Sequence, residues 1–150
     1  MIVGWAALAD LRGQVAMVDG GFDPIHAGHV SYFEATAQLG HPVLCNVSPD
    51  SYVVTKHPVL LPEQDRARVI DAFRCVDYVH ISRGTTVEVL EQLRPRCYVK
   101  GSDWRDRLPD PELETCRRHG IEIVYLDTVT HSSTALLSQY RSQWESRTCH

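Results

Sequence analysis

The sequence predicts an α/β domain built on a five-stranded parallel sheet with helices on both faces. Three observations carry that prediction. Short apolar, β-branched runs alternate with longer stretches of helical spacing along the whole chain. No two runs are joined by a hairpin turn, and parallel strands need crossovers. The runs are also apolar throughout, as strands covered on both faces are. With 150 residues and 43% hydrophobic content, the chain suits a single domain with a real core, residues 1–150, comprising an N-terminal helical extension over 1–13 and a C-terminal helix and tail over 138–150.

Taken in order, Met1 to Leu11 reads as a short helix packed on the domain. It lacks a basic leader and is too short to span a bilayer, so no membrane role is expected. Gln14 to Asp19 is the first strand, and Val30, Phe33, Ala37 and Leu39 recur near helical spacing until Gly40 closes that helix. Pro42 to Val47 is the second strand, and Tyr52 to Leu61 has no clear period and reads as a mobile loop carrying Lys56. Pro62 opens an amphipathic helix expected to run from Glu63 to Arg74, which places Arg66 and Arg74 on one side of it. Val76 to Ile81 is the third strand, Thr85 or Thr86 caps a helix through Leu93, and Cys97 to Lys100 is the fourth strand. Pro111 to His119 is a helix ended by Gly120, Ile121 to Leu126 is the fifth strand, and Ser132-Ser133-Thr134 caps the closing helix.

The most informative stretch is Gly20-Gly21-Phe22-Asp23-Pro24-Ile25-His26-Ala27-Gly28-His29, a strand-to-helix turn. Such a turn aims backbone N–H groups and the positive end of a helix at an anion, and the glycines let backbone approach it. His26 and His29 fall on one face of the first helical turn, where they can stabilise charge developing on a phosphoryl group. A zinc site needs further ligands at suitable spacing, and none is apparent, so no protein-held metal is expected.

Ligands of parallel sheets bind beyond the carboxyl ends of the strands. The turn at Gly101-Ser102-Asp103 and the cap at Ser132 to Thr134 also follow strands, so they are expected to share one crevice with the first turn. Lys56 and Lys100 are the two lysines among 15 lysines and arginines. A chain that uses Arg wherever a surface cation suffices has a reason to place a compact point charge at those two positions. A net charge of −4 argues against a nucleic-acid partner, which wants a basic surface. Five cysteines, odd in number and without a C-x-x-C pair, favour a reducing cytoplasm.

His26-Ala27-Gly28-His29 matches the H-x-G-H signature, and the chain resembles the nucleotidyltransferase superfamily from about Val15 to Leu137. Gly21-Phe22-Asp23, Arg66, Arg74, Lys100-Gly101-Ser102-Asp103 and Ser132-Ser133-Thr134-Ala135-Leu136 fall where the cytidylyltransferase-like branch has its motifs. Within that branch, Leu93 to Asp103 and the Ser-Thr-Ala-Leu run look most like D-glycero-β-D-manno-heptose 1-phosphate adenylyltransferases. Two places depart from the pattern. Asp19 and Gly21 flank Gly20 where relatives usually have other residues, and Val129-Thr130-His131 replaces an acid-glycine pair.

The resemblance implies a Rossmann-like fold and transfer of a nucleoside monophosphate from a triphosphate to a sugar phosphate, with Mg²⁺ carried by the triphosphate and pyrophosphate released. ATP with a heptose 1-phosphate leads. CTP with glycerol 3-phosphate or another polyol phosphate is the rival, and a nucleotide-binding protein without turnover is the alternative of another class. The implied catalytic residues are His26, His29 and Lys56. The implied nucleotide contacts are Gly21, Phe22, Asp23, Gly28, Lys100, Gly101, Asp103 and Ser132 to Thr134, with Arg66 and Arg74 on the acceptor. The resemblance also implies a homodimer, for which the helix near Phe73 is the candidate surface.

Overall fold

The computed structural model describes residues 1–127 and 133–148. Five parallel strands, β1 (Ala16–Gly20), β2 (Val43–Val47), β3 (Tyr78–Ile81), β4 (Cys97–Gly101) and β5 (Glu122–Leu126), form one sheet in the order β3-β2-β1-β4-β5. The predicted Rossmann-like sheet is therefore the observed one. The strand order reverses between β1 and β4, which opens a crevice at their carboxyl ends.

Alternation along the strands builds two cores. Ala16 and Val18 of β1, with Val43, Cys45 and Val47 of β2, pack under α1 (Ala27–Ala37) and α3 (Glu63–Asp71). Val15, Met17, Leu44 and Tyr98 face the other way, toward α4 (Thr86–Leu93), α5 (Asp110–His119) and a 3₁₀ turn over Ala6–Leu11. The helices begin and end on local signals. Thr85 and Glu88 form a capping box at the start of α4, and Gly120 ends α5 at φ 65°, a left-handed conformation that suits glycine. Ile2 bridges Val79 at the β3 edge, so the N-terminal segment adds strand-like pairing as well as the expected helical turn. No described helix is long and apolar enough to cross a membrane.

Three elements differ from the sequence reading. The segment after β2 is partly ordered as a short helix, α2 (Asp50–Val53), held at its start by the Glu63 carboxylate, which accepts from Asp50 N–H at 2.8 Å. Helix α3 ends at Asp71, because Phe73 turns inward, with its ring 5.7 Å from that of Phe33. Phe73 is thus packed against the core under α1, where the sequence reading had made its neighbourhood a dimer surface. The closing helix α6 starts at Ser133 and runs to Thr148, while Val129, Thr130, His131 and Ser132 lie outside the described residues.

Arg66 is the largest fully buried side chain. Its Nε donates to Leu61 O at 2.9 Å, Nη1 donates to Gly21 O and Ser48 O at 2.6 and 2.8 Å, and Nη2 pairs with Asp50 Oδ1 at 2.6 Å. One guanidinium thereby ties the turns after β1 and β2 to the loop before α3. Replacing Arg66 with Met strands those carbonyls away from water, so we expect a loss of about 3 kcal/mol or more in urea unfolding, against about 1 kcal/mol or less for Arg68→Met on the exposed face.

Candidate active site

The crevice at the switch in strand order is an open cleft of about 1070 Å³. Its floor is the carboxyl ends of β1, β2 and β4, and its walls include His29, Lys56, Asp103, Ser133 and Thr134. The first wall is the turn after β1. Gly20 is closely packed there, since a Cβ would sit 3.1 Å from the ring of Phe22, which is itself held at φ 53°. Phe22 is buried, and its ring meets Phe33 at 5.3 Å and the edge of His29 at 5.0 Å, so it props the second histidine from below.

The two histidines are built into the start of α1. His26 is the N-cap, and its Nδ1 accepts from Gly28 N–H at 3.1 Å. His29 reaches back, and its Nδ1 accepts from His26 N–H at 3.2 Å. The rings stack with centroids 3.8 Å apart. Because each Nδ1 is an acceptor, each neutral ring carries its proton on Nε2. Burial, reinforced by the nearby His26, lowers the His29 pKa to about 3. His29 therefore offers the cleft a neutral N–H donor. Gly28 makes the arrangement possible, since a Cβ there would lie 2.9 Å from Cε1 of His26.

Other predicted residues sort by what they touch. Lys56 is exposed on the cleft wall, its Nζ 5.0 Å from the Tyr52 ring centroid. Gly21, Gly101 and Asp103 line the cleft. Ser133 Oγ donates to Pro24 O at 2.7 Å, which fastens the start of α6 beside the start of α1, and Thr134 lines the cleft next to it. Ser132 lies outside the described residues. Asp23 is 1% exposed, and its two oxygens accept from Leu60 N–H and Leu61 N–H at 2.8 and 2.9 Å. Its carboxylate holds the loop that bears Lys56.

Two expectations are corrected. Arg66 does not reach the acceptor, because its guanidinium is sealed from solvent and committed to the partners described above. Arg74 lies beyond α3 on the turn leading into β3, at the amino ends of the strands and so at the opposite end of the sheet from the cleft. The two do not share a helix.

Lys100 has a partner that the sequence left unassigned. Its Nζ pairs with Asp19 Oδ1 at 2.8 Å and lies 4.3 Å from the Trp104 ring centroid. Asp19 Oδ2 also accepts from Tyr98 OH at 3.1 Å and Thr86 Oγ1 at 3.2 Å, and Tyr98 OH lies 3.2 Å from Glu112 Oε2. Burial and the Asp19 charge raise the Glu112 pKa. The signal for Asp19 and Asn46 was a polar residue near the carboxyl end of an otherwise apolar strand. Glu112 gave no signal beyond an acid in a first helical turn.

A cytidylyltransferase-like family model matches residues 17–140. The chain belongs to the cytidylyltransferase-like family, and it is a nucleotidyltransferase. Among curated relatives of this cytidylyltransferase-like chain is the bifunctional protein HldE of Magnetococcus marinus, 37% identical over 131 residues. That match covers 84% of this chain and 26% of that protein. The bifunctional protein HldE of Streptomyces coelicolor is 37% identical over 135 residues, 85% of this chain and 28% of that protein. The chain thus spans about a quarter of the length of these relatives. A lipopolysaccharide core biosynthesis protein from Thermoplasma volcanium has the same fold, with a TM-score of 0.66 at 23% identity, covering 77% of this chain and 97% of that one.

Two outcomes follow from the histidine geometry. In a ¹⁵N NMR titration the His29 ring stays neutral and its shifts flat from pH 8 to 5, since its folded pKa is about 3. Because that pKa lies below the unfolded value, the unfolded state gains a proton first on acidification. The stability tied to a neutral His29 is then intact above about pH 6.5 and is lost between there and about pH 3. Gly28→Ala pushes the His26 ring off its cap, so turnover falls about tenfold or more in a steady-state assay while the melting temperature drops by only a few degrees, as loss of a cap costs about 1 kcal/mol.

Proposed function

We propose that this cytidylyltransferase-like enzyme transfers AMP from ATP to a heptose 1-phosphate, forming ADP-heptose and releasing pyrophosphate. The observation that carries the phosphoryl chemistry is His29, a half-buried neutral imidazole whose Nδ1 is occupied by backbone N–H, leaving Nε2–H as a donor on the cleft wall. Support for the heptose acceptor is the sequence resemblance and the HldE relatives together.

In this reading the acceptor phosphate oxygen attacks the α-phosphorus in line, a new P–O bond forms, and the bond to the β-phosphate oxygen breaks. Pyrophosphate leaves with the electron pair, so no proton has to move. Negative charge on the α-phosphoryl oxygens is met by the Nε2–H of His29 and by Lys56, both positioned before the reaction. His26 fixes the ring of His29 and the entry to α1. Ser133 and Thr134, at the start of α6, hold the outer phosphates.

Mg²⁺ enters as part of the substrate. Magnesium keeps several waters and binds through few carboxylates plus phosphate oxygens. Among the described residues there is no group of three or more His, Cys, Asp or Glu that could hold a metal ion. The described cysteines Cys45, Cys75, Cys97 and Cys116 are free thiols, as a reducing cytoplasm keeps them. We include a cytoplasmic homodimer in the proposal.

The deciding assay follows pyrophosphate with Mg²⁺, each nucleoside triphosphate and a panel of sugar and polyol phosphates. Release with ATP and heptose 1-phosphate alone is expected, and release with CTP and glycerol 3-phosphate replaces this reading with the polyol one. Nucleotide binding without release in any combination identifies a binding protein. His29→Ala lowers kcat by roughly two orders of magnitude and weakens triphosphate binding less, as loss of a transition-state donor does. Equal losses in both refute that role.

A further inference from the structure

The cleft has two chemically different halves, divided by the edge of the sheet. Val18 of β1 points to the core under α1, while Met17 points to the core under α4 and α5, and Asp19 continues the Met17 series. On β2 Asn46 follows Leu44, and on β4 Lys100 follows Tyr98, in the same alternation. Register sets Asn46 beside Asp19, and Val99 beside Val18, so that Lys100 stands at the other side of Asp19. The three polar side chains make one row on the α4 and α5 side. The proposed phosphate groups, His29, Ser133 and Thr134, come from the starts of α1 and α6, which Ser133 joins together.

The row is built to accept hydrogen bonds. Asp19 holds Lys100, Tyr98 and Thr86, and Glu112 overhangs it from the first turn of α5. The Tyr98 hydroxyl stands between the two carboxyl groups, 3.1 Å from Asp19 Oδ2 and 3.2 Å from Glu112 Oε2. Burial and the Asp19 charge push the Glu112 pKa up, against the opposing pull of Lys100 and the Tyr98 hydroxyl. Asn46 is the exception to this satisfied network. It is 3% exposed, it lines the cleft, and its buried Oδ1 has no hydrogen-bond partner among the described residues. An amide oxygen left in that state has lost its water without gaining a partner, a cost that a ligand donor would recover.

We propose that Asn46, Asp19, Thr86 and Glu112 form the acceptor subsite, and that they select a polyhydroxylated sugar phosphate by its hydroxyl groups; the inference rests on the nucleotidyl-transfer reading. Hydroxyls are neutral donors, which is what an orphan amide oxygen and a carboxylate pair can take. Two carboxyl groups do not welcome a phosphate. The acceptor's own phosphate is therefore turned toward His29 and Lys56, the direction from which it can attack the α-phosphorus. A pocket whose buried polar groups await hydroxyls also rejects analogues that lack them far more strongly than an apolar pocket rejects a missing methylene.

The test is a comparison of Asn46→Leu and Glu112→Gln with the parent in steady-state kinetics with ATP and heptose 1-phosphate. Each is expected to raise the acceptor KM about tenfold or more and to leave the ATP KM within about twofold, the more so because Leu removes an unsatisfied buried amide and keeps the melting temperature at or above that of the parent. A rise in the ATP KM equal to that for the acceptor assigns the row to the nucleotide and overturns the inference, as does no change in either. If the parent binds ATP but releases no pyrophosphate with any acceptor, the reaction reading has failed separately. Calorimetric binding of heptose 1-phosphate to the ATP-loaded protein then decides: binding weakened about tenfold by Asn46→Leu upholds the subsite, and equal or absent binding rejects it.

Discussion

The buried guanidinium of Arg66 is the constraint on which the cleft depends. Parallel strands end in turns, and turns at the top of a sheet leave carbonyls with no ladder partner. Here the carbonyls of Gly21, Ser48 and Leu61 converge on one side chain that can only donate, and Asp50 supplies the countercharge at the start of α2. Burying a cation is costly unless its donors are met, and these four bonds engage four of its five N–H groups with acceptors that need donors themselves. Asp23 provides the complement. It can only accept, and it takes the N–H groups of Leu60 and Leu61. Leu61 is consequently fixed through both its N–H and its C=O, and the loop that carries Lys56 is anchored at its base by two charged side chains, of which Asp23 also lines the cleft.

The histidine pair shows the same economy at smaller scale. In an ordinary capping box a short hydroxyl side chain and a Glu satisfy the first turn of a helix. In α1 two imidazoles do that task, and because each uses Nδ1 as acceptor, each keeps its proton on Nε2. Helix capping thereby sets the tautomer, and burial sets the charge. The glycine between them is explained by the His26 ring, which occupies the space where a Cβ would stand. The spacing of the motif follows from capping geometry, with phosphoryl chemistry added on the exposed edge of His29.

Much of this was legible in the sequence, for identifiable reasons. Buried parallel strands are apolar on both faces, so five such runs separated by helical spacing announced the sheet, and the glycine-rich turn announced its ligand end. Strand order is set by crossovers between distant segments, and no local pattern encodes it. Arg66 was misread because an arginine among Glu63, Asp65 and Arg68 on an amphipathic helix has the local signature of a solvated face, and only the arrival of three loops from elsewhere makes it a buried donor. Arg74 was misread because the helix stops early, where Phe73 turns into the core. The partnership of Asp19 with Lys100 spans 81 positions of sequence and joins strands that are adjacent only because the order reverses there.

That partnership also explains a division of labour across the cleft. The sequence singled out both lysines, Lys56 as catalytic and Lys100 as a nucleotide contact, and their surroundings separate them further. Lys100 is 7% exposed, matched by Asp19 and laid against Trp104, so its charge is spent inside the protein. Lys56 stands exposed on the cleft wall, its Nζ 5.0 Å from the Tyr52 ring centroid. Positive potential is consequently concentrated on one side of the sheet edge, where an anionic triphosphate can be drawn and its charge met. The other side carries the Asp19–Lys100 pair and Glu112, and Arg83, paired with Glu63, also lines the cleft. A transferase that joins two phosphates must bring two anions together without letting either occupy the other's place, and pairing Lys100 with Asp19 removes one lysine charge from that competition.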